Sequence, residues 1–129
     1  MTVHESQFRV YYEDTDLGGF VYHANYLRFI ERGRSDFVRM RGVDQVALKR
    51  DRGLVFVVRH ITADYLAPAH FDDVLRVQTR LAELGGARIV LDQAILRAEQ
   101  ALFNARVTLV CIAGKGATRL PGDIRAALA

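Results

Sequence analysis

A single change of period constrains this chain more than any other feature. From Asn25 to about Arg41 the apolar residues recur at helical spacing, with Tyr26, Ile30, Gly33, Phe37 and Met40 widened by Leu27, Arg34 and Val38. Arg28, Glu31, Arg32, Ser35, Asp36 and Arg39 form the opposite face. Beyond Leu54 the period is two. Leu54–Tyr65, Val74–Leu84, Ala87–Ala98 and Ala101–Ala113 alternate as strands do, and Gly85-Gly86 signals a hairpin. An earlier strand, Gln7–Glu13, sets Phe8, Val10 and Tyr12 against Arg9 and Glu13. Parallel neighbours need long crossovers, which the short links after Leu54 do not supply, so the sheet is mostly antiparallel.

The order is therefore β-α-β-β-β-β. It predicts an α+β domain in which one amphipathic helix packs on one face of a curled five-stranded antiparallel sheet. Asn25 is the expected helix N-cap and Gly42 the stop. Gly33, on the apolar stripe, implies that another backbone passes close by. Asp44 to Arg52 is helical or looped, and the tail from Gly114 to Ala129 turns at Pro121-Gly122. One helix is too small to cover five strands. The exposed edges and face favour a homo-oligomer.

With 129 residues, half of them hydrophobic, the chain suits one domain spanning 1–129. The net charge is +3, and nearly all the cations are arginines, Lys49 and Lys115 being the exceptions. Acids are mixed in throughout, so nothing points to nucleic acid. Cys111, the one cysteine, cannot form an internal disulfide and shares parity with Phe103, Ala105, Val107 and Leu109, as a core thiol would. The start, MTVHESQFRV, has no signal-peptide pattern, and no apolar run is long enough to insert in a membrane. The cytoplasm is the expected compartment. No grouping has zinc-ligand spacing, and Gly114-Lys115-Gly116 lacks the rest of a phosphate loop. His60 has no clear face, and His70 belongs to a solvated loop.

The chemistry is concentrated between Tyr11 and Arg34: YYEDTDLGGFVYHANYLRFIERGR. Asp14 and Asp16 stand where a strand becomes a glycine turn, and His23 and Asn25 precede the helix. A helix N-terminus offers unpaired N–H groups and a partial positive charge, which can hold the oxyanion of acyl transfer. A nearby carboxylate supplies a base or nucleophile. Asp in such a turn also makes plain Asx-turn hydrogen bonds, and that is the reading given to Asp14.

The run Tyr-Tyr-Glu-Asp-Thr-Asp-x-Gly-Gly-x-Val-Tyr-His-x-Asn-Tyr-Leu, followed by Glu31-Arg32 and Arg34, resembles the signature of the hotdog-fold acyl-CoA thioesterases. It is most similar to their YbgC-like branch and more distantly to 4-hydroxybenzoyl-CoA thioesterase. Tyr65-Leu66-Ala67-Pro68-Ala69 and Asp72-Asp73 extend the likeness over nearly the whole chain. The resemblance implies a hotdog fold, with the sheet wrapped around a long helix, and hydrolysis of an acyl-CoA without a cofactor. It makes Asp16 the catalytic nucleophile or base. The backbone N–H at His23 would polarise the carbonyl, and the His23 side chain is associated with catalysis. Tyr22 and Asn25 would shape the substrate pocket. Arg88 is a candidate for the phosphates of CoA, and the assembly would be a tetramer built from dimers. A noncatalytic acyl-thioester binding or scaffold protein and a hotdog dehydratase or hydratase are the competing readings. The latter needs a His paired with a helix carboxylate, and Glu31 lies too far along the helix from His23.

Overall fold

A computed structural model describes residues 3–129; the first two residues of the expected domain lie outside the described residues. The elements are β1 (His4–Arg9), a 3-10 turn (Tyr12–Asp14), α1 (His23–Met40), α2 (Gln45–Arg52), β2 (Leu54–Tyr65), β3 (Val74–Leu84), β4 (Arg88–Arg97), β5 (Gln100–Ala113), β6 (Gly116–Ala117) and α3 (Gly122–Leu128). The sheet runs β1-β3-β4-β5-β2, antiparallel at every pairing, and the two-residue β6 adds to the end of β5. The five long strands curl around α1 as an α+β half-barrel.

Strand parity separates the faces. Leu75, Val77, Leu81, Ile89, Leu91, Ile95, Phe103, Val107, Leu109 and Cys111 turn inward and are buried with Tyr26, Phe29, Ile30, Phe37 and Val38 of α1. Each large side chain buried this way contributes about 1.5–3 kcal/mol. A polar link crosses the same core. Gln93 donates through Nε2 to the Ile30 carbonyl and to Thr79 Oγ1, each at 2.8 Å, and accepts from Arg34 Nη1 at 3.2 Å. Burial pushes the Arg34 guanidinium below its usual value.

Gly33 is required for packing, though not for the expected reason. A Cβ there would lie 2.5 Å from Val77 Cγ1, so a side chain and not a backbone comes close. Other expectations also change. The first strand ends at Arg9, and the chain then enters the 3-10 turn, leaving Tyr12 79% exposed and off the core face. The Asp14 carboxylate causes this by accepting the Tyr11 N–H at 2.8 Å. Helix α1 starts at His23 with Tyr22 in the cap position, so Asn25 is not the cap; its side chain reaches back to Asp14 instead. Met40 is exposed in the last turn, whereas Phe29 is fully buried, its ring 6.2 Å from that of Phe8. Gly42 does end the helix, at φ +82°.

The tail contains α3, which buries Ile124 and Leu128 and pairs Asp123 with Arg52 of α2 at 2.8 Å. A register shift between Val58 and His60 sets His60 opposite Thr108, on the outer face. Among the described residues no helix is long and apolar enough to cross a membrane, and no group of three His, Cys, Asp or Glu side chains is placed to hold a metal ion.

Candidate active site

Residues Asp14 to Tyr22 fold back on themselves. The Asp14 carbonyl accepts the Tyr22 N–H at 2.9 Å, Thr15 pairs with Val21, and the Asp16 N–H donates to the Phe20 carbonyl at 2.8 Å. Gly19 closes the turn at φ +82°, a conformation that costs glycine little. Asp16 is exposed at this turn. Its Oδ1 accepts the N–H groups of Gly18 (2.9 Å) and Phe20 (3.2 Å), as an Asx turn does. Its Oδ2 has no hydrogen-bond donor among the described residues. One oxygen thus fixes the carboxylate and the other is open to a reactant.

The loop after β2 braces this hairpin. Val21 donates to the Ala69 carbonyl at 2.8 Å, Phe71 donates to the Gly19 carbonyl at 3.3 Å, and Phe20 bridges His70. The Ala69 N–H donates to the Tyr26 hydroxyl at 2.9 Å. Asp73 holds the loop closed through Arg97 (2.8 Å) and the His70 N–H (2.8 Å). Burial raises the Asp73 carboxyl, but Arg97 and the His70 N–H outweigh it and hold the group below the usual carboxylate range. His70 is therefore a structural brace with a half-exposed ring, more than a free loop residue.

The hairpin leads directly into α1. The N–H groups of His23 and Ala24 meet no protein acceptor among the described residues, so the positive end of the helix is left unsatisfied at the foot of the hairpin that carries Asp16. The His23 carbonyl accepts the Tyr65 hydroxyl at 2.8 Å, and burial raises the pKa of that hydroxyl. The rings of Tyr22 and His23 are both exposed, 4.5 Å apart. Asn25 is buried; its Nδ2 donates to Asp14 Oδ1 at 2.7 Å and its Oδ1 accepts from Arg28 at 3.4 Å. Asp14 thus has both oxygens engaged within the protein.

Asp16, Tyr22, His23 and Asn25 therefore gather at one end of the molecule. Arg88 does not join them. It opens β4, pairs with Glu83, and stands about 30 Å along the strand from the Arg97 end that braces the Asp16 hairpin. None of five cavities of 220 to 680 Å³ among the described residues is lined by Asp16 or His23, though one of 310 Å³ reaches Asp14. Exposed aromatic and aliphatic groups surround the hairpin instead: Tyr11, Tyr12, Leu17, Phe20, Leu66 and Phe71. The Asp14–Asn25 contact, the Tyr65 bond and the bracing loop are invisible to periodicity, because each joins segments far apart in the chain.

A curled antiparallel sheet around one long helix is the architecture of known thioesterases. The profile of the thioesterase superfamily matches residues 18–103, and the chain belongs to that superfamily. Over 105 residues it is 48% identical to the acyl-CoA thioester hydrolase YbgC of Escherichia coli, covering 81% of this chain and 78% of that protein. The acyl-CoA thioesterase YbgC of Haemophilus influenzae is 43% identical over 104 residues, 81% of this chain and 76% of the relative. Among solved structures, a probable thioesterase from Bartonella henselae superposes with a TM-score of 0.89 at 42% identity, covering 93% of this chain and all of that one. The fold is the hotdog fold.

Proposed function

We propose that the protein hydrolyses the thioester of a small acyl-CoA, yielding the free acid and CoA, with Asp16 and the His23 amide as its working parts. The observation that supports this reading is that Asp16 keeps one carboxylate oxygen open on the hairpin that leads into two unbonded helix amides. The thioester oxygen accepts the His23 N–H, which stabilises the negative charge as the carbonyl carbon becomes tetrahedral. Asp16 either takes a proton from the attacking water or attacks the carbon itself, giving an anhydride that water then cleaves. In both routes the C–S bond breaks, and the CoA sulfur leaves with the electron pair and is protonated. The His23 ring and Tyr22 line the approach to the carbonyl, and Asn25 shapes the site from beneath.

The reaction runs in an assembly. Edge strand β2 is twelve residues long and exposes Val57 and Val58. A second copy added along that edge would satisfy its free backbone groups and cover the apolar surface near Tyr65 and Leu66. It would also enclose Asp16, which lies open in the single chain. Pairs of such dimers make the tetramer. CoA lies between subunits, where Arg88 of a neighbouring copy is the candidate for its phosphates. We place the protein in the cytoplasm as a single catalytic domain.

The test is a panel of short aliphatic and aromatic acyl-CoAs assayed for free thiol. Asp16→Asn should lower kcat by about 10²–10⁴-fold with the fold intact. Near-normal turnover in that variant removes Asp16 from the mechanism. Loss of enoyl absorbance without thiol release would indicate hydration instead, and tight CoA binding without turnover a binding protein.

A further inference from the structure

We infer that Asp14 and Asn25 form a latch that sets the distance between Asp16 and the first amides of α1; both are positioning residues, neither touching the thioester. The inference rests on the proposed roles of Asp16 and the His23 amide. Two segments must be held in register for that chemistry, the turn carrying Asp16 and the opening of the helix. They are joined covalently only through the glycine turn, whose tip is exposed. Across its base the chain uses one buried side-chain contact, Asn25 Nδ2 to Asp14 Oδ1 at 2.7 Å.

The contact is directional. Asp14 spends its other oxygen on the Tyr11 N–H at 2.8 Å, which fixes the carboxylate to the end of the preceding strand. Its own carbonyl holds the Tyr22 N–H at 2.9 Å, one residue before the helix. Asn25 donates its backbone N–H to the Tyr22 carbonyl at 2.8 Å, so its side chain cannot move without disturbing the first turn. Asp14 is thereby bonded on both sides of the His23 amide, and Asp16 is two residues from Asp14. A shift of about 1 Å between reacting groups costs on the order of 10²-fold in rate. A burial this complete, with a charged-group hydrogen bond at its centre, is suited to prevent such a shift.

Reversing the polarity of the contact tests this. Asn25→Asp sets two carboxylates against each other with no donor between them, and like charges at that range repel. Asp14→Asn together with Asn25→Asp restores a donor facing an acceptor: the new amide donates to the new carboxylate and still accepts the Tyr11 N–H. Kinetics on butyryl-CoA and benzoyl-CoA should show kcat falling about 10²-fold in Asn25→Asp with KM within about threefold. The double variant should recover to within about fivefold of the parent. Should Asn25→Asp fail to fold, the double variant decides alone. Recovery supports the latch, whereas a double variant that is unfolded, or as slow as the single one, overturns it. A rise in KM at unchanged kcat would make Asn25 a substrate contact and also overturn it. If Asp16→Asn is inactive while Asn25→Asp is normal, only the latch falls. If Asp16→Asn is active, the reading of Asp16 falls, and the latch with it. Absence of thiol release by the parent from both substrates removes the reaction and therefore the latch.

Discussion

Asp14 and Asp16 stand two residues apart and have opposite fates. On an extended strand they would share a face; the turn breaks that parity, burying one and exposing the other. The sequence makes Asp16 a candidate through its Gly-Gly neighbours and its distance from a helix start. It cannot show that Asn25 occupies Asp14, because a side-chain bond across eleven residues leaves no periodic trace. Asp92 permits a prediction at this scale. On the outer face it is gripped by Arg106 through two bonds of 2.8 and 3.0 Å and approached by Arg80 at 3.4 Å. The hydrogen bond from Arg106 lowers its pKa below the ordinary carboxylate value, against the opposing effect of burial. A carboxyl depressed by folding stabilises the folded state above its unfolded pKa of about 3.9, and that stability is lost as the pH falls through the folded value. Asp92→Asn should therefore be less stable than the parent at pH 7, and the gap should narrow below about pH 4 in urea titrations. A gap that widens in acid would refute the assignment.

At the scale of elements, β2 and β3 have the limits that alternation predicts, Leu54–Tyr65 and Val74–Leu84. Their periods are long enough to outvote a single exception. Strand β1 was legible only in part, since Phe8, Val10 and Tyr12 alternate on paper while a carboxylate three residues past Tyr11 bends the chain. Helix α3 left too weak a signal, seven residues with two buried aliphatic side chains. The packing of α1 on β3 gives the next prediction. Gly33→Ala gains about 1 kcal/mol of helix propensity. It also places a methyl group 2.5 Å from Val77 Cγ1, and such overpacking costs about 1–3 kcal/mol. The variant should be less stable in denaturant titration, and adding Val77→Ala should narrow the deficit. A Gly33→Ala protein more stable than the parent would show that the helix moves aside freely.

For the whole molecule, two sheet edges and one uncovered face were foreseeable from counting one helix against five strands. Which edge carries apolar groups became visible only with the strand order, because β2, the second strand in sequence, ends up outermost. If a neighbour closes the site, light scattering should give a mass that is a multiple of 14.5 kDa, and specific activity should fall on dilution to single chains. Full activity at the monomer mass would refute the proposed closure. The sealed position of Cys111 bears on how any of this can be measured. It is the chain's one sulfhydryl, wholly enclosed between sheet and helix, and burial raises its pKa further. A thiol-reactive dye added to turnover mixtures therefore reports product alone, with the native protein silent. Without substrate, the same dye becomes a stopwatch for the rare openings of the barrel itself.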